Sequence, residues 1–220
     1  MQNKFSRLIL DSLQQNCLKF GGRMTQEVME LAGNMNLAAA ETQIALHCAP
    51  LLVGLKVSSL LMMTNEQAGR IFKLSADTEL ACFWVFCGEK KTVLLLYRMQ
   101  SLDDYLKTPD VLCMLRGLGY QGSTLAGLLA DFAARYAAYA AGGGMFPHEM
   151  GLFLGYPPED VQGFMADKGK NSLCTGYWKV YQNVQEKIGL FQKYDLAREK
   201  LLRLMAHGVS IKEVMALRPV

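Results

Sequence analysis

The apolar positions along the chain change period several times, and each change marks an element. Phe5, Leu8, Ile9 and Leu13 fall on one stripe, which predicts a docking helix over residues 4–15. Further helical stretches run from Thr25 to about Leu31 and, alanine-rich, from Leu37 to His47. Pro50 is expected to end the latter, because the residue before a proline avoids the helical region. Val57–Met63 reads as a buried strand. Thr64-Asn65-Glu66-Gln67 has the form of a capping box and opens a helix to about Leu74. Two aromatic and aliphatic runs, Leu80–Cys87 and Thr92–Arg98, flank Gly88-Glu89-Lys90-Lys91 and predict a β-hairpin. Both faces of both runs are apolar, so both strands are expected to be covered on two sides.

Ser101 and Thr108-Pro109 read as consecutive helix starts, with Gly117 and Gly119 as the stop. Ser123–Ala141 predicts a longer helix whose inner face carries Leu125, Leu128, Leu129, Phe132 and Tyr136. Gly142-Gly143-Gly144 ends it and separates an expected core domain, 1–141, from a helical C-terminal subdomain, 145–220, packed on it. Beyond the glycines, a short helix is predicted over Pro147–Leu154, another from Pro158, and extended chain over Tyr177–Tyr181. Asn183 with Glu186, and Ser210 with Glu213, read as two more capping boxes. The first opens a helix to Ala206 with a break near Asp195. The expected fold is α+β: a small, mostly antiparallel sheet, with strands near 57–63, 80–87 and 92–98, wrapped by helices and followed by a mainly helical part.

Composition narrows the class. The 220 residues are 51% apolar and 20% charged, the range of an ordinary globular chain. A net charge of +3 neither demands nor excludes a polyanionic partner. The N-terminal residues lack the pattern of a signal peptide, and no apolar run is long enough for a bilayer, so a cytoplasmic protein without a membrane segment is expected. The six cysteines show no CxxC pair and no zinc-ribbon spacing, and free thiols are the expectation. Cys82 and Cys87, five apart on one strand, should point to opposite faces and not chelate together.

Two stretches are distinctive: HCAPLLVGLK at 47–56 and FPHEMGLFLGYPPEDVQGFMADKGKNSLCTGYWKVY at 146–181. They resemble the two signatures of an uncharacterised protein family of anaerobic Gram-positive bacteria whose members have about this length. The resemblance supplies no catalytic role. Through flavodoxin-like genes that sometimes neighbour the family's own, it implies a redox or metal connection. It marks His47, Cys48, Pro50, Lys56, His148, Glu149, Gly155, Tyr156, Pro157, Cys174, Tyr177, Trp178 and Lys179.

Each marked group has a chemical and a structural use. His148, placed in the first turn of a helix begun by Pro147, would be held neutral by the positive dipole end, fit to ligate a metal or act as a base. Glu149 suits the same helix end as an anion, and both residues equally serve to cap and orient the helix. Cys174 lies in a polar loop near Lys168 and Lys170, whose charges would lower a thiol pKa. With His148 it would form a Cys/His nucleophile; with Cys48 and His47, a nitrogen–sulfur metal set. As a structural cysteine it needs none of these partners. Tyr156, Tyr177, Trp178 and Lys179 could stack on a flat ligand or fasten the helical part to the sheet. Gly151, Gly155 and Val161 carry helix-turn-helix spacing, but the second helix begins Pro158-Glu159-Asp160 and would turn carboxylates toward phosphates.

The leading expectation is a cytosolic protein that holds a small ligand, cofactor or metal in a pocket between the two signatures, using His148, Cys174 and Cys48. The alternatives are a helix-turn-helix regulator reading nucleic acid through 147–179 and a purely structural interaction module. No reaction, cofactor or oligomeric state follows from the sequence.

Overall fold

The three apolar runs form one antiparallel sheet, with β1 (Ser58–Thr64), β2 (Leu80–Cys87) and β3 (Lys91–Arg98) in the order β1-β3-β2. The structure is a computed structural model that describes residues 35–217 together with Glu30 and Gly33. The helix expected over 4–15, and all but Glu30 of the one expected over 25–31, lie outside these residues. β3 has a strand on each side and is buried from Thr92 to Arg98, as its two apolar faces require. β2 is an edge strand and leaves Trp84 39% exposed. Both faces of β2 carry packing, Leu80 and Cys82 on one and Val85 and Phe83 on the other, but its cover is less complete than that of β3.

A bulge corrects a second expectation. Trp84 pairs with Leu94, but Phe86 pairs with Val93, so Val85 is an extra residue on β2. The inserted residue shifts the alternation by one. Cys82 sits opposite Leu96 and Cys87 opposite Thr92, and both cysteines therefore point to the same side of the sheet. Their partners are still four residues apart on β3, about 13 Å along a strand, too far for one ion.

One face of the sheet, with Leu61, Met63, Leu94 and Leu96, packs on α1 (Ala40–Leu52), α2 (Asn65–Ser75), the end of α8 (Val184–Ala206) and α9 (Ile211–Met215). The other face, with Val85, Val93, Leu95 and Tyr97, packs on α3 (Met99–Leu106), α4 (Pro109–Gly117), α5 (Leu125–Ala140), α6 (Met150–Phe153) and the start of α7 (Pro158–Ala166). Each fully buried leucine in these layers contributes about 1.5–3 kcal/mol through the apolar surface it removes from water. A third cluster joins α8 to a small hairpin, β4 (Cys174–Thr175) and β5 (Lys179–Val180). The result is an α+β fold with nine helices among the described residues and a mainly helical C-terminal part.

Local rules set most element ends. The boxes at Thr64/Gln67 and Ser210/Glu213 both form, with the N-cap hydroxyl accepting the third amide and the third side chain returning the bond. The Asn183/Glu186 box does not. Asn183 adopts φ +53° and makes no cap bond, since a left-handed residue cannot aim its side chain at the helix as an extended N-cap does. α8 also runs unbroken through Asp195, whose carboxylate accepts from Tyr177 Oη at 3.0 Å and from Arg198 Nη2 at 2.6 Å instead of competing for its own backbone. α3 starts at Met99, directly off β3, rather than at Ser101. Pro50 lies inside α1, which continues to Leu52. Proline in a last turn forfeits one bond, and here the end is rebuilt around it. Arg98 donates to the carbonyls of Leu51 at 3.2 Å and Leu52 at 2.9 Å, and Leu55 N and Lys56 N both close on Pro50 O.

Candidate functional site

The two signature segments meet, and they meet by direct packing. Gly155 has φ +69°, and a Cβ there would lie 2.7 Å from Val57 Cγ2, so the turn between α6 and α7 requires glycine. Ser58 Oγ donates to Phe153 O beside it. Lys56 Nζ lies 5.2 Å over the Tyr156 ring, Tyr105 Oη donates to Tyr156 O, and Tyr194 Oη donates to Leu55 O at 3.3 Å. His47 sits close enough to Arg198 that its pKa is lowered by burial and, secondly, by that guanidinium.

Within the second signature the organising group is Asp160, 1% exposed. One carboxylate oxygen accepts from Trp178 Nε1 at 2.7 Å; the other accepts from Tyr181 N at 2.7 Å and Gln182 N at 3.2 Å. Three donors on one buried carboxylate tie α7 to the small hairpin. Tyr156 stacks on Trp178 with centroids 4.7 Å apart, and Phe191 meets the indole edge-on at 4.6 Å. Tyr177 is held by Asp195 and by the Arg198 guanidinium 5.9 Å above its ring, and Lys179 Nζ donates to Gly169 O. Glu159, in the acidic first turn of α7, pairs with the buried Lys187 at 3.1 Å. Tyr156, Tyr177, Trp178 and Lys179 thus have partners within the protein. Sequence reasoning took Glu159-Asp160 as carboxylates facing outward. The burial of Asp160 follows from its register beside Val161, a signal that only the position of the hairpin makes legible.

The imidazole and sulfur groups are not gathered. Cys48 is fully buried against the α1 side of the sheet. Cys174 packs beside the Trp178 cluster, where burial and then the Asp160 charge push its thiol pKa up. The lowering expected from Lys168 and Lys170 is corrected: burial is the larger influence on the thiol, and the charge that acts on it is the Asp160 carboxylate. His148 stands between the rings of Phe146 and Phe164, at 5.4 and 5.3 Å. Its Nδ1 is buried without a hydrogen-bond partner, and burial lowers its pKa against the opposing pull of Glu149. The predicted helix over 147–154 contracts to α6, so His148 precedes it and Glu149 occupies its N-cap without a side-chain cap bond. Burial replaces a helix dipole as the reason the imidazole stays neutral. Glu149, 3% exposed, accepts from Arg135 Nε at 2.7 Å and Tyr120 Oη at 3.0 Å. Among the described residues, no three His, Cys, Asp or Glu side chains are grouped as a metal ion would need. The five described cysteines are free thiols.

An open cleft of about 460 Å³ lies on the α5 side of the sheet. Phe83 and Tyr97 form its floor, Leu125, Ala126 and Leu129 one wall, and Met99, Gln100 and Asp103 the other. The length of α3 and the start of α5, capped by Thr124, set the separation of these walls. Asp103 Oδ2 accepts from Lys107 Nζ at 2.7 Å, an i,i+4 pair on α3 and its cap. Asp103 Oδ1 is buried and has no hydrogen-bond partner. Gln100 Nε2 donates to Asp104 at 2.8 Å. In the sequence, Ser101 and the residues after it registered as a helix start alone. The i,i+4 spacing of Asp103 and Lys107 was visible, but nothing local shows that the sheet leaves space beneath them.

No helix among the described residues is long and apolar enough to cross a membrane. A family model described as "Protein of unknown function (DUF3793)" matches residues 44–215, and the chain belongs to that family. No curated protein and no solved structure matches the chain.

Proposed function

We propose, from a family membership that supplies no activity, that the protein is a cytoplasmic binding protein for a small organic ligand and that the ligand occupies the cleft between α3, α5 and the sheet. The observation that carries this reading is a cleft of about 460 Å³ with an aromatic floor, Phe83 and Tyr97, and a few polar side chains, Gln100, Asp103 and Thr124, among its apolar walls. The signature residues then act as a clasp that fixes the C-terminal part to the sheet, and the ligand site stands apart from them. A metal is disfavoured by the scattered ligand set, and the acidic first turn of α7, tied to Lys187, gives nucleic acid little to bind.

The test is a ligand-observed NMR screen of neutral aromatic fragments against the natural protein and the Ala126→Trp variant. Ala126 is exposed on α5 at the rim, so an indole there fills the cleft without entering the core. Fragments that bind the natural chain and are lost from the variant support the reading. Equal binding to both proteins, or none to either, overturns it and favours an interaction module.

A further inference from the structure

We infer that the outer edge of β2 is a self-association surface, on which a second copy of this chain pairs its own β2 antiparallel and joins the two three-stranded sheets into one. The inference stands on the strand edge and is independent of the ligand cleft.

β2 is hydrogen-bonded to β3 along one side, and among the described residues no strand pairs with its other side. Outside the sheet, Leu80–Cys87 make no backbone–backbone bond among the described residues; of their backbone groups Leu80 N alone is taken, by Thr78 Oγ1 at 3.2 Å. A row of such groups is a template for another strand unless proline, charge or brevity blocks it. β2 has none of these, being eight residues long without a proline or a charged side chain. The bulge at Val85 interrupts the run once and leaves Leu80–Trp84 in regular register. Trp84, near the middle of the edge, is 39% exposed, and Phe72 of α2, its ring 6.5 Å away, is 53% exposed. The two rings extend the apolar edge onto the helix, and aromatic anchors near the centre of an interface carry much of its energy.

The ends of the strand select the partner. Asp77 and Glu79 precede it; Glu89, Lys90 and Lys91 follow it. Glu79 also meets Arg98 at 3.6 Å, whereas Asp77, Lys90 and Lys91 are exposed. The edge is therefore acidic at one end, uncharged and aromatic between, and net basic at the other. Antiparallel pairing about a two-fold axis lays each acidic end on the partner's basic turn, twice over by symmetry. Parallel pairing would set like charge on like. A strand complementary to its own reverse fits a second copy of itself.

Sedimentation equilibrium of the full chain, up to about 0.1 mM, reads the association. A monomer–dimer equilibrium is expected, and Trp84→Lys, which puts a charge on the edge, should leave only monomer that still unfolds cooperatively in urea. Two further variants test the pairing without altering the strand. Lys168 holds φ +51° where Asp77 holds +64°, so a lysine tolerates the backbone of Asp77→Lys. Asp77→Lys and Lys90→Glu should each weaken self-association about tenfold, since every altered contact occurs twice. Mixed in equal amounts, they should recover the natural affinity as a heterodimer, because the reversed end of one then meets the reversed end of the other. A chain that stays monomeric at every concentration overturns the inference and leaves the edge to a strand of another protein or of this chain. So does a dimer that is indifferent to Trp84→Lys, or one whose charge variants fail to rescue each other.

Discussion

The clasp made by the two signatures and the cleft under α3 are built from the same kinds of residue, yet they use their polar groups in opposite ways. In the clasp, a single buried carboxylate, Asp160, takes three donors, and Tyr156 and Phe191 pack on the Trp178 ring that supplies one of them. In the cleft, Asp103 pairs with a half-exposed lysine and lines an open volume with Phe83, Tyr97 and Leu129. Fully paired buried groups contribute to stability and resist change, whereas polar groups at an open surface contribute little to it. The difference identifies the distinctive sequence with fastening.

The largest expected effect lies in the clasp. Asp160→Ala strips the acceptor from the Trp178 indole and two backbone amides at once, and should cost at least about 3 kcal/mol, at roughly 1–3 kcal/mol for each buried donor left unpaired. Urea unfolding monitored by near-ultraviolet circular dichroism checks it, and a loss below that of a surface substitution would break the contrast. Gly155→Ala comes next. Its positive φ and the 2.7 Å approach to Val57 should together cost about 1–3 kcal/mol in the same assay.

Smaller and graded is the response to acid. His47 and His148 both have folded pKa values below the ordinary 6.5, through burial. The folded state therefore binds fewer protons than the unfolded one as pH falls below that value. Stability in place above pH 6.5 should decline through the mildly acidic range toward the depressed folded values. His148→Gln should flatten part of that decline, seen as a shallower slope of melting temperature between about pH 7 and 5; an unchanged slope would mean that His148 does not contribute. The smallest effect belongs to the cleft: Asp103→Asn removes one exposed ion pair and should change stability by less than about 0.5 kcal/mol.

Much of the fold was legible from local patterns because local forces decide it. The hairpin, the boxes at Thr64 and Ser210, and the inner face of α5 depend on residues within one or two turns of one another. Misreadings arose where distant contacts override them. Pro50 is carried inside α1 because Arg98, on a strand nearly fifty residues away, holds the helix end. Asn183 fails as a cap because the chain leaves β5 in a left-handed turn, and Cys87 changes face because Val85 bulges. The meeting of the two signatures was foreseen, but not its character. A buried aspartate and a stacked tyrosine are indistinguishable in sequence from exposed ones when the hairpin that covers them is not yet placed. The cleft left no trace at all, since an empty volume is a property of three elements together.

The central claim is that ligands enter the cleft and leave the clasp untouched. A two-dimensional NMR titration of the labelled protein with a neutral aromatic fragment from the screen tests it most directly. Shifts concentrated on Phe83, Tyr97, residues 99–107 and residues 124–129, with residues 146–181 unmoved, are the predicted result. Shifts concentrated on His47, His148 and Cys174 would contradict it.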